Sequence, residues 1–476
     1  MRRTLPAVIL LATAATAVVS QASLRARHGV YMSYDMARKV LESGSEILPP
    51  ELKGSPAGIA SSWPAWVESQ DRRIRSRLVQ GEEDSLVNFM LFGTSFTKSP
   101  RITLNLLAEY AAGKKTPQAR EARESIESRA ADLIQGVASP GNNERLAFAR
   151  QLLRSQGIDL ASSAARAKAK EYLLANLVRI LSEQKGYARV LEQARQQGGT
   201  SEEFIERSHL FKDRGLSSDT SLMPDFAIEE SLKELRGRGF LSPRGVRRVA
   251  IIGPGLDFTD KEDGYDFYPE QTTQPFAVVD SLIRLGLADE SNLQVTTMDL
   301  SDRVNNHLDR AHEAAQRGIG YVVQLPLDSE RPWTPGAVDY WSRFGEKIGT
   351  PVSAIKAPLA LGSLKLRAVK IDPKFVSKVS PTDVNIVVQR LDLTGAERFD
   401  VIVATNILVY YDLFEQSLAL ANICSMLRPG GILLSNDALL ELPGSGMKSV
   451  GYKGTAYSTR PGDGDNIVWY QRASGG

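Results

Sequence analysis

Cysteine and histidine are both scarce in this chain of 476 residues. The single cysteine, Cys424, excludes an intramolecular disulfide framework and a cysteine-based metal cluster, and its apolar neighbours predict a core position on a helix. His307 and His312 are five residues apart on a predicted helix and therefore point to different faces. The sequence accordingly predicts no metal site.

An excess of charge of either sign is also lacking, because 58 basic side chains nearly balance 56 acidic ones. Composition therefore does not indicate binding to nucleic acid or to an anionic membrane surface. With 42% hydrophobic and 24% charged residues, the chain has the composition of a globular protein. Its length favours about two or three domains, and we divide it into two.

The uncharged run at the amino terminus is shorter than a membrane span. Arg2 and Arg3 precede uncharged residues from Leu5 to Val19, and Ser20-Gln21-Ala22 gives a small-x-small cleavage pattern. A helix needs about 20 apolar residues to span a bilayer comfortably, so residues 1–22 are interpreted as an export signal, with a permanent membrane anchor as the alternative. The protein is then expected to be exported or anchored at the inner membrane.

Helical periodicity with almost no strand signal extends from about Met32 to Gly237, which predicts a helical domain over residues 23–224. After Asp225, a plausible helix N-cap, strands alternate with helices such as Arg303–Gln316 and Val338–Ile348. This alternation predicts an α/β fold with a doubly wound sheet. The predicted strands are Arg247–Ile252, Gln294–Leu300, Tyr321–Leu325, Val384–Val388, Val401–Ala404 and Ile432–Ser435. Two further β-rich runs, Ser449–Thr459 and Asn466–Gln471, predict an antiparallel hairpin at one sheet edge.

Glycines and carboxylates follow the first two predicted strands. In Gly253-Pro254-Gly255-Leu256-Asp257, two glycines let the backbone turn sharply and approach a ligand closely, although such a sequence is also a common turn. Asp299 ends the next strand, where a carboxylate can accept hydrogen bonds from both ribose hydroxyls. A helix N-cap is the alternative role for Asp299.

Polar and aromatic side chains also follow the strand Val401–Ala404, namely Thr405, Asn406, Tyr410 and Tyr411. One helix later, Pro429-Gly430-Gly431 turns the chain into another apolar strand. This is the layout of a parallel βαβ unit built around a ligand crevice. Packing of the tyrosines in a buried helix is the alternative interpretation.

These segments resemble the class I S-adenosylmethionine-dependent methyltransferases. The stretch Arg398–Asp412 is in addition similar to the corresponding stretch of the chemotaxis-receptor glutamate methyltransferases. The resemblance implies a Rossmann-like methyltransferase domain over residues 225–476, with the C-terminal antiparallel hairpin, and S-adenosyl-L-methionine as cofactor. This sequence departs from the family pattern at Ile251, where the family has an acidic residue, and at Asp257, where it has a third glycine.

By the same resemblance, each candidate residue has an implied role. Gly253, Gly255 and Asp257 form the loop that contacts the cofactor, Asp299 binds its ribose, Asp392 accepts from the adenine amino group, Thr405 contacts the cofactor, and Asn406 and Tyr410 line the transfer site. The loop Phe258–Gln274, rich in aromatic and acidic residues, is expected to form a lid or an acceptor pocket, with a solvated loop as the alternative.

The resemblance implies methyl transfer by in-line displacement to an unidentified small-molecule or protein acceptor. The electrophile is already activated, so the protein mainly supplies alignment and exclusion of water. Tyr410 and Asp412 are not persuasive bases, which favours an acceptor such as a carboxylate. A catalytically inactive binding or scaffold module, exported or membrane-anchored, is the alternative, and cytoplasmic synthesis of the cofactor conflicts with export of an enzyme. A nicotinamide-dependent oxidoreductase is disfavoured, since the third glycine is missing and Asp257 would repel a pyrophosphate.

Overall fold

The computed structural model describes residues 29–113, 115–196, 214–259, 265–358, 361, 364–436 and 438–474. The predicted export signal over residues 1–22 lies outside these ranges. Within them, no helix combines the length and the apolar character that crossing a bilayer requires.

The amino-terminal half of the described chain is helical, as its periodicity predicts. After the two-residue strand β1 (Val30–Tyr31), its helices are α1 (Tyr34–Ser43), α2 (Pro56–Phe92), α3 (Leu104–Ala112), α4 (Pro117–Ala138), α5 (Glu144–Ser155) and α6 (Ser163–Gln196). The longest, α2, begins where the Ser55 hydroxyl accepts from the backbone N–H of Gly58, with Pro56 in the first turn.

Strands and helices then alternate up to the C-terminal hairpin. They are α7 (Met223–Gly237), β2 (Arg248–Ile252), α8 (Gln274–Arg284), β3 (Gln294–Asp299), α9 (Asp302–Gln316), β4 (Tyr321–Asp328), α10 (Pro335–Arg343), β5 (Gly349–Val352), β6 (Leu364–Ile371), α11 (Pro373–Val376), β7 (Val379–Asp383), β8 (Gln389–Arg390), β9 (Phe399–Ala404), α12 (Leu413–Met426), β10 (Leu427–Ser435), β11 (Met447–Ala456) and β12 (Gly464–Arg472).

Seven strands form the main sheet, in the order β11-β12-β10-β9-β2-β3-β7. The strands from β10 to β7 are parallel, whereas β12 and β11 run antiparallel at the edge. The predicted doubly wound α/β sheet with a C-terminal antiparallel hairpin is therefore confirmed. From β2 the chain proceeds outward through β3 to β7 and then returns to β9, so the strand order reverses between β2 and β9. Parallel sheets bind their ligands at such a reversal, outside the carboxyl ends of the strands.

One helix of the amino-terminal half contributes to two cores. The first part of α2 packs on one face of the main sheet through Trp63, Val67 and Ile74. Its last part, from Leu86 to Phe92, belongs to a separate cluster formed with α4, α5 and α6. The predicted domain boundary between residues 224 and 225 stays a prediction, because this position lies inside α7 and α2 contributes to both cores.

Two predicted local features are wrong. Residues 384–388 are not a strand, because the buried Asn385 turns the chain there by donating to Asp71 Oδ1 at 2.8 Å, and the third parallel strand is β7 just before them. Asp225 does not cap a helix, since α7 already begins at Met223 and the carboxyl group of Asp225 is buried in its first turn. In both cases burial by tertiary contacts outweighs the local preference.

The predicted strand at Tyr321 is present but lies outside the main sheet. As β4, it pairs with β6 in a three-stranded antiparallel sheet ordered β4-β6-β5. The predicted helix Val338–Ile348 is displaced to Pro335–Arg343, since the Thr334 hydroxyl caps its start and Gly345, at a φ of 82°, lies beyond its end. This small sheet with α10 is an insertion between α9 and β7, and we call residues 321–371 the inserted subdomain.

Candidate functional site

A cavity of about 550 Å³ lies at the carboxyl ends of β2, β3 and β9. This volume is within the range of roughly 300–1,000 Å³ that small-molecule and cofactor sites occupy. The strand ends form its floor. Its other walls come from the segment Leu216–Pro224, which we call the cover segment, from the loop between β2 and α8, from the inserted subdomain and from the C-terminal hairpin.

Both glycines of the loop after β2 line the cavity in a left-handed conformation. The φ angle is 65° at Gly253 and 63° at Gly255. A Cβ atom at Gly253 would come within 2.1 Å of the Ile407 side chain, and one at Gly255 within 2.6 Å of the Ser218 carbonyl oxygen. Both positions therefore require glycine, since backbone conformation and the close approach of neighbouring chain exclude a side chain.

The cover segment is attached to this glycine loop by backbone hydrogen bonds. The Leu256 N–H donates to Ser218 O at 2.7 Å, and the Thr220 N–H donates to Leu256 O at 3.0 Å. The Ser85 hydroxyl on α2 in turn donates to the Asp219 carboxylate. The helical region thus closes one side of the cavity.

Asp299 lies at the carboxyl end of β3 with its side chain buried against the cavity. Its Oδ1 accepts from the Ser301 backbone N–H at 2.8 Å. Burial raises the pKa of Asp299 to about 6, although the backbone N–H groups of Ser301, Gly255 and Leu300 favour its charged form. The carboxylate is therefore charged at neutral pH, and hydroxyl or ammonium donors of a ligand would stabilise it.

Polar side chains follow β9 on the opposite side of the reversal point. The Thr405 hydroxyl oxygen accepts from Gln274 Nε2 at 2.9 Å. Asn406 has a φ of 57°, which is uncommon for a residue other than glycine, and its N–H donates to Asn436 Oδ1 at 2.8 Å. Such backbone strain persists only where surrounding contacts fix it, and it is frequent at functional sites.

Tyr410 also lines the cavity, in a short 3₁₀ turn over Leu408–Tyr410. Its carbonyl oxygen accepts from the guanidinium of Arg77, a buried residue of α2, at 2.7 Å. The neighbouring Tyr411 is buried beneath the Arg77 guanidinium, and burial raises the pKa of its hydroxyl. The helical region therefore also fixes the segment after β9.

Asp257 faces the cavity from the loop between β2 and α8. Its Oδ2 accepts from the Tyr268 hydroxyl at 2.8 Å and from Gln271 Nε2 at 3.0 Å. Tyr265, Tyr268 and Gln271 of the same loop line the cavity as well. This part of the loop is a wall of the cavity and not a solvent-exposed loop. Residues 260–264 lie outside the described ranges.

The structure brings most of the candidate residues together on this cavity. They are Gly253, Gly255, Asp257, Asp299, Thr405, Asn406 and Tyr410.

Asp392 is the exception among the candidates. Its side chain is 77% exposed and pairs with Arg390 at 3.0 Å, at the end of β8, which pairs with β1 and not with the main sheet. The structure therefore does not support contact between Asp392 and a ligand in the cavity. The wall that follows the third parallel strand is instead apolar, through Val384 and Ile386.

Sequence reasoning missed two walls of the cavity. The cover segment carries no motif, and the inserted subdomain contributes Gln324–Asp328, Arg331 and Trp333 although nothing in its sequence indicates a site. Arg331 forms an ion pair with Asp463 of the hairpin, with an N to O distance of 2.5 Å. Only the folded chain shows these contacts, because the paired residues are more than a hundred positions apart.

The charged side chains that line the cavity are mostly acidic. Among the described lining residues there are five aspartates and one arginine, and that arginine already pairs with one of the aspartates. They are Asp219, Asp257, Asp299, Asp328, Asp463 and Arg331. Because the surrounding protein focuses this field into the cleft, the cavity favours a ligand with positive charge.

His307 and His312, both on α9, do not line the cavity and have partners elsewhere. His307 Nε2 lies 2.8 Å from the Tyr321 hydroxyl, and burial lowers the pKa of His307 to about 4. His312 Nδ1 lies 3.0 Å from Val379 O. In the described part of the chain, no cluster of three histidine, cysteine or acidic side chains has an arrangement that could hold a metal ion. Cys424 is half-buried on α12, and burial raises the pKa of its thiol.

Comparison of the sequence with protein-family models and with curated proteins gives no match. Among solved structures, the chain is similar to the N-methyltransferase NodS from Bradyrhizobium japonicum WM9 in complex with S-adenosyl-L-homocysteine, at 15% identity over 52% of this chain and 87% of that one, with a TM-score of 0.25. It is also similar to magnesium protoporphyrin IX methyltransferase from Synechocystis PCC 6803 with bound S-adenosylmethionine, at 12% identity over 57% and 84%, with a TM-score of 0.25. For the glycopeptide N-methyltransferase MtfA complexed with S-adenosylmethionine, the identity is 11% over 54% and 96%, with a TM-score of 0.25. A TM-score this low does not transfer a function to this chain.

Proposed function

We propose that this chain is a methyltransferase that uses S-adenosyl-L-methionine. The observation that carries the proposal is the position of the buried Asp299 carboxylate and the Gly253–Gly255 loop on one acidic cavity, at the point where the strand order reverses. A ribose presents two adjacent hydroxyl donors to such a carboxylate. The excess of aspartates in the lining suits a ligand with an ammonium and a sulfonium charge.

The residues present fit this cofactor. Asp299 would hold the ribose, the apolar Val384 and Ile386 would contact the adenine ring, and Asp257 would face the ammonium group of the amino-acid part. When bound, the cofactor supplies an activated methyl group for in-line displacement. The chain then needs to orient the acceptor and exclude water. The cover segment and the loop wall exclude water, and Asn406 and Tyr410 would line the place of transfer.

For the acceptor, we propose a group that is nucleophilic without deprotonation, such as a carboxylate, as in the glutamate methyltransferases that the segment after β9 resembles. Tyr410 and Asp412 remain poor candidates for a base, since Asp412 is engaged as the cap of α12. Arg331 is the one cation of the described lining, and it pairs with Asp463. A screen with labelled cofactor that labels only hydroxyl compounds would contradict this proposal.

Isothermal calorimetry tests the cofactor directly. The wild-type protein is expected to bind S-adenosylmethionine and S-adenosylhomocysteine with saturable heat, and Asp299→Ala should weaken both affinities. Asp302→Ala is the matched control, because Asp302 is an exposed aspartate three residues away. Absence of saturable heat in the wild-type protein would contradict the proposal, and binding of a nicotinamide dinucleotide in its place would favour an oxidoreductase.

A non-catalytic binding module is the second candidate, and one observation favours it. The cover segment already bonds to the glycine loop, so that Gly255 is explained by contact with Ser218 as well as by a ligand. This candidate predicts that neither cofactor nor product binds the wild-type protein, whereas the enzyme requires both to bind.

We also propose a small molecule or a protein as the acceptor, and not a nucleic acid. Export or membrane anchoring through residues 1–22 is a further proposal. Fractionation of cells followed by sequencing of the amino terminus of the mature protein tests export and anchoring. A new amino terminus near residue 22 in an extracytoplasmic fraction would support cleavage, while an intact terminus in the membrane fraction would support an anchor. An intact protein in the cytoplasmic fraction would contradict both.

A further inference from the structure

Arg145 on α5 connects the helical region to the loop that carries Asp257. The residue is almost completely buried, at 2% exposure, yet none of its described hydrogen bonds goes to a carboxylate. It donates instead to backbone carbonyl oxygens: Nε to Phe258, one terminal nitrogen to Tyr268, and the other to Asp257 at 2.9 Å. These three carbonyl groups lie on two separate stretches of one loop.

The geometry of arginine suits this arrangement. Its planar guanidinium presents five N–H donors in a fixed fork, so one side chain can hold several acceptors at defined angles. A buried cation needs such partners, because desolvation without them is costly. The interaction therefore fixes the positions of residues 257–258 relative to Tyr268.

The same loop has a second attachment to the helical region, through Asp266. Its Oδ1 accepts from the backbone N–H of Thr94 at 2.8 Å, and its Oδ2 accepts from the backbone N–H of Ser95 at 2.9 Å. The hydroxyl groups of Thr94 and Ser95 donate to the same two oxygens. Phe258 is completely buried in the helical core, with its ring 5.5 Å from that of Phe89.

Two of the three residues that Arg145 holds, Asp257 and Tyr268, line the cavity. Asp257 accepts from the Tyr268 hydroxyl, and both residues line the cavity. Arg145 thus fixes the backbone of Asp257 and Tyr268 from the side of the helical region. Their side chains form an acidic wall of the cavity. A shift of either backbone would separate the carboxylate from the hydroxyl that orients it.

We propose that Arg145 is a positioning residue for ligand binding, and that the helical region serves to hold the Asp257–Tyr268 wall against the ammonium group of the ligand's amino-acid part. This inference rests on the proposed function, because it takes S-adenosylhomocysteine as the probe. It assigns a role in the site to a domain whose sequence carries no motif.

Calorimetry on the full-length protein with two ligands tests the proposal. Arg145→Met should weaken S-adenosylhomocysteine binding about tenfold, as expected if the wall holds its binding position for only about a tenth of the time. Adenosine lacks the amino-acid part, so its affinity should change little. Arg154→Met is the matched control on α5, since the Arg154 side chain is 57% exposed.

A double-mutant cycle distinguishes positioning from a general structural role. Asp257→Asn alone should also weaken S-adenosylhomocysteine binding, and adding Arg145→Met should cause little further loss, because both changes remove the same interaction. Additive losses, or an equal loss for adenosine, would overturn the proposal. If Arg145→Met fails to fold, Asp266→Asn loosens the same loop from its other attachment and is expected to give the same ligand pattern.

Amide hydrogen exchange tests whether Arg145 fixes the Asp257–Tyr268 wall, and this test does not require a bound cofactor. In Arg145→Met, residues 265–271 should exchange faster than in the wild-type protein, while the strands of the main sheet should be unaffected. Unchanged exchange of residues 265–271 would overturn the positioning role. If the wild-type protein binds no S-adenosylhomocysteine, the proposed function fails and the ligand part of this inference fails with it, whereas the exchange rates still decide whether Arg145 fixes the wall.

Discussion

The side-chain amide of Gln274 donates to the hydroxyl oxygen of Thr405 at 2.9 Å. Gln274 begins α8 and Thr405 follows β9, so this bond joins a helix start to a strand end at the reversal point of the sheet. Because the Thr405 oxygen accepts from the amide, its own hydrogen is available to another acceptor. Thr405 lines the cavity, so its hydroxyl group can donate a hydrogen bond to a ligand there.

The variant Thr405→Val tests this arrangement, since valine keeps the branched shape and lacks the hydroxyl. The Gln274 amide would lose one of its acceptors, and the expected loss of unfolding free energy is about 1–3 kcal/mol. Affinity for S-adenosylhomocysteine should fall with it, because the donor is removed. Denaturant unfolding and calorimetry measure the two effects. Thr405→Ser keeps the hydroxyl and should retain the affinity, and a valine variant that binds as tightly as the wild type would contradict the assigned role.

Asp299 predicts how ligand affinity depends on pH. Burial raises its pKa to about 6, and the charged carboxylate accepts hydrogen bonds from ribose hydroxyls more strongly than the neutral acid does. Affinity for S-adenosylhomocysteine should therefore be highest above pH 6 and should fall as the pH is lowered through that value. Calorimetry between pH 5 and pH 8 measures the profile.

The control for this profile is Asp299→Asn, which has nearly the same shape and does not titrate. Its affinity should be weaker at neutral pH and nearly constant over the same pH range. A wild-type profile that is flat near pH 6, or one that is the same in Asp299→Asn, would show that another group controls binding.

The sheet could be predicted because its strands are buried local runs. The parallel strands at Val249, Val295 and Val401 are short buried runs rich in β-branched residues. Gly253 follows the first, Asp299 ends the second and Thr405 follows the third. Since the carboxyl ends of parallel strands meet at one edge, local sequence was sufficient to place Gly253 and Asp299 on the same cavity.

The remaining walls could not be predicted, because they depend on contacts distant in sequence. Arg331 meets Asp463 only through the packing of the inserted subdomain on the hairpin, and Arg145 meets the loop at Tyr268 only through the helical core. The run Val384–Val388 has strand composition, yet the bond from Asn385 to Asp71 on α2 holds it as a turn. The strand propensity of a local segment contains no information about such distant partners.

At Asp392, the structure differs from what the family resemblance implies. The resemblance implies contact with adenine, whereas the structure has this side chain exposed and paired with Arg390. We expect Asp392→Ala to leave the affinity for S-adenosylhomocysteine unchanged and to alter the unfolding free energy by no more than about 0.5 kcal/mol. Calorimetry and denaturant unfolding test both statements. A clear loss of affinity would mean that the segment after β8 reaches the ligand after all.

Asp225 predicts how the stability of the protein itself depends on pH. Its carboxyl group is buried in the first turn of α7, and burial raises its pKa from 3.8 to about 8, although the side chains of Thr273 and Gln274 donate to it. Between these two values the folded protein binds a proton that the unfolded chain has released. The contribution of Asp225 to stability is therefore fully present below about pH 4 and is lost as the pH rises towards 8.

The variant Asp225→Asn removes this titration while keeping the shape of the side chain. It should be more stable than the wild type at pH 8, by roughly 1–3 kcal/mol if the charged form lacks compensation, and the difference should shrink as the pH is lowered towards 4. Asp289→Asn is the control with the opposite sign, because hydrogen bonds from Ser291 lower the pKa of Asp289. That variant should lose stability at neutral pH. Denaturant midpoints at several pH values measure both variants, and an Asp225→Asn difference that does not depend on pH would show that the Asp225 carboxyl group is not protonated by burial.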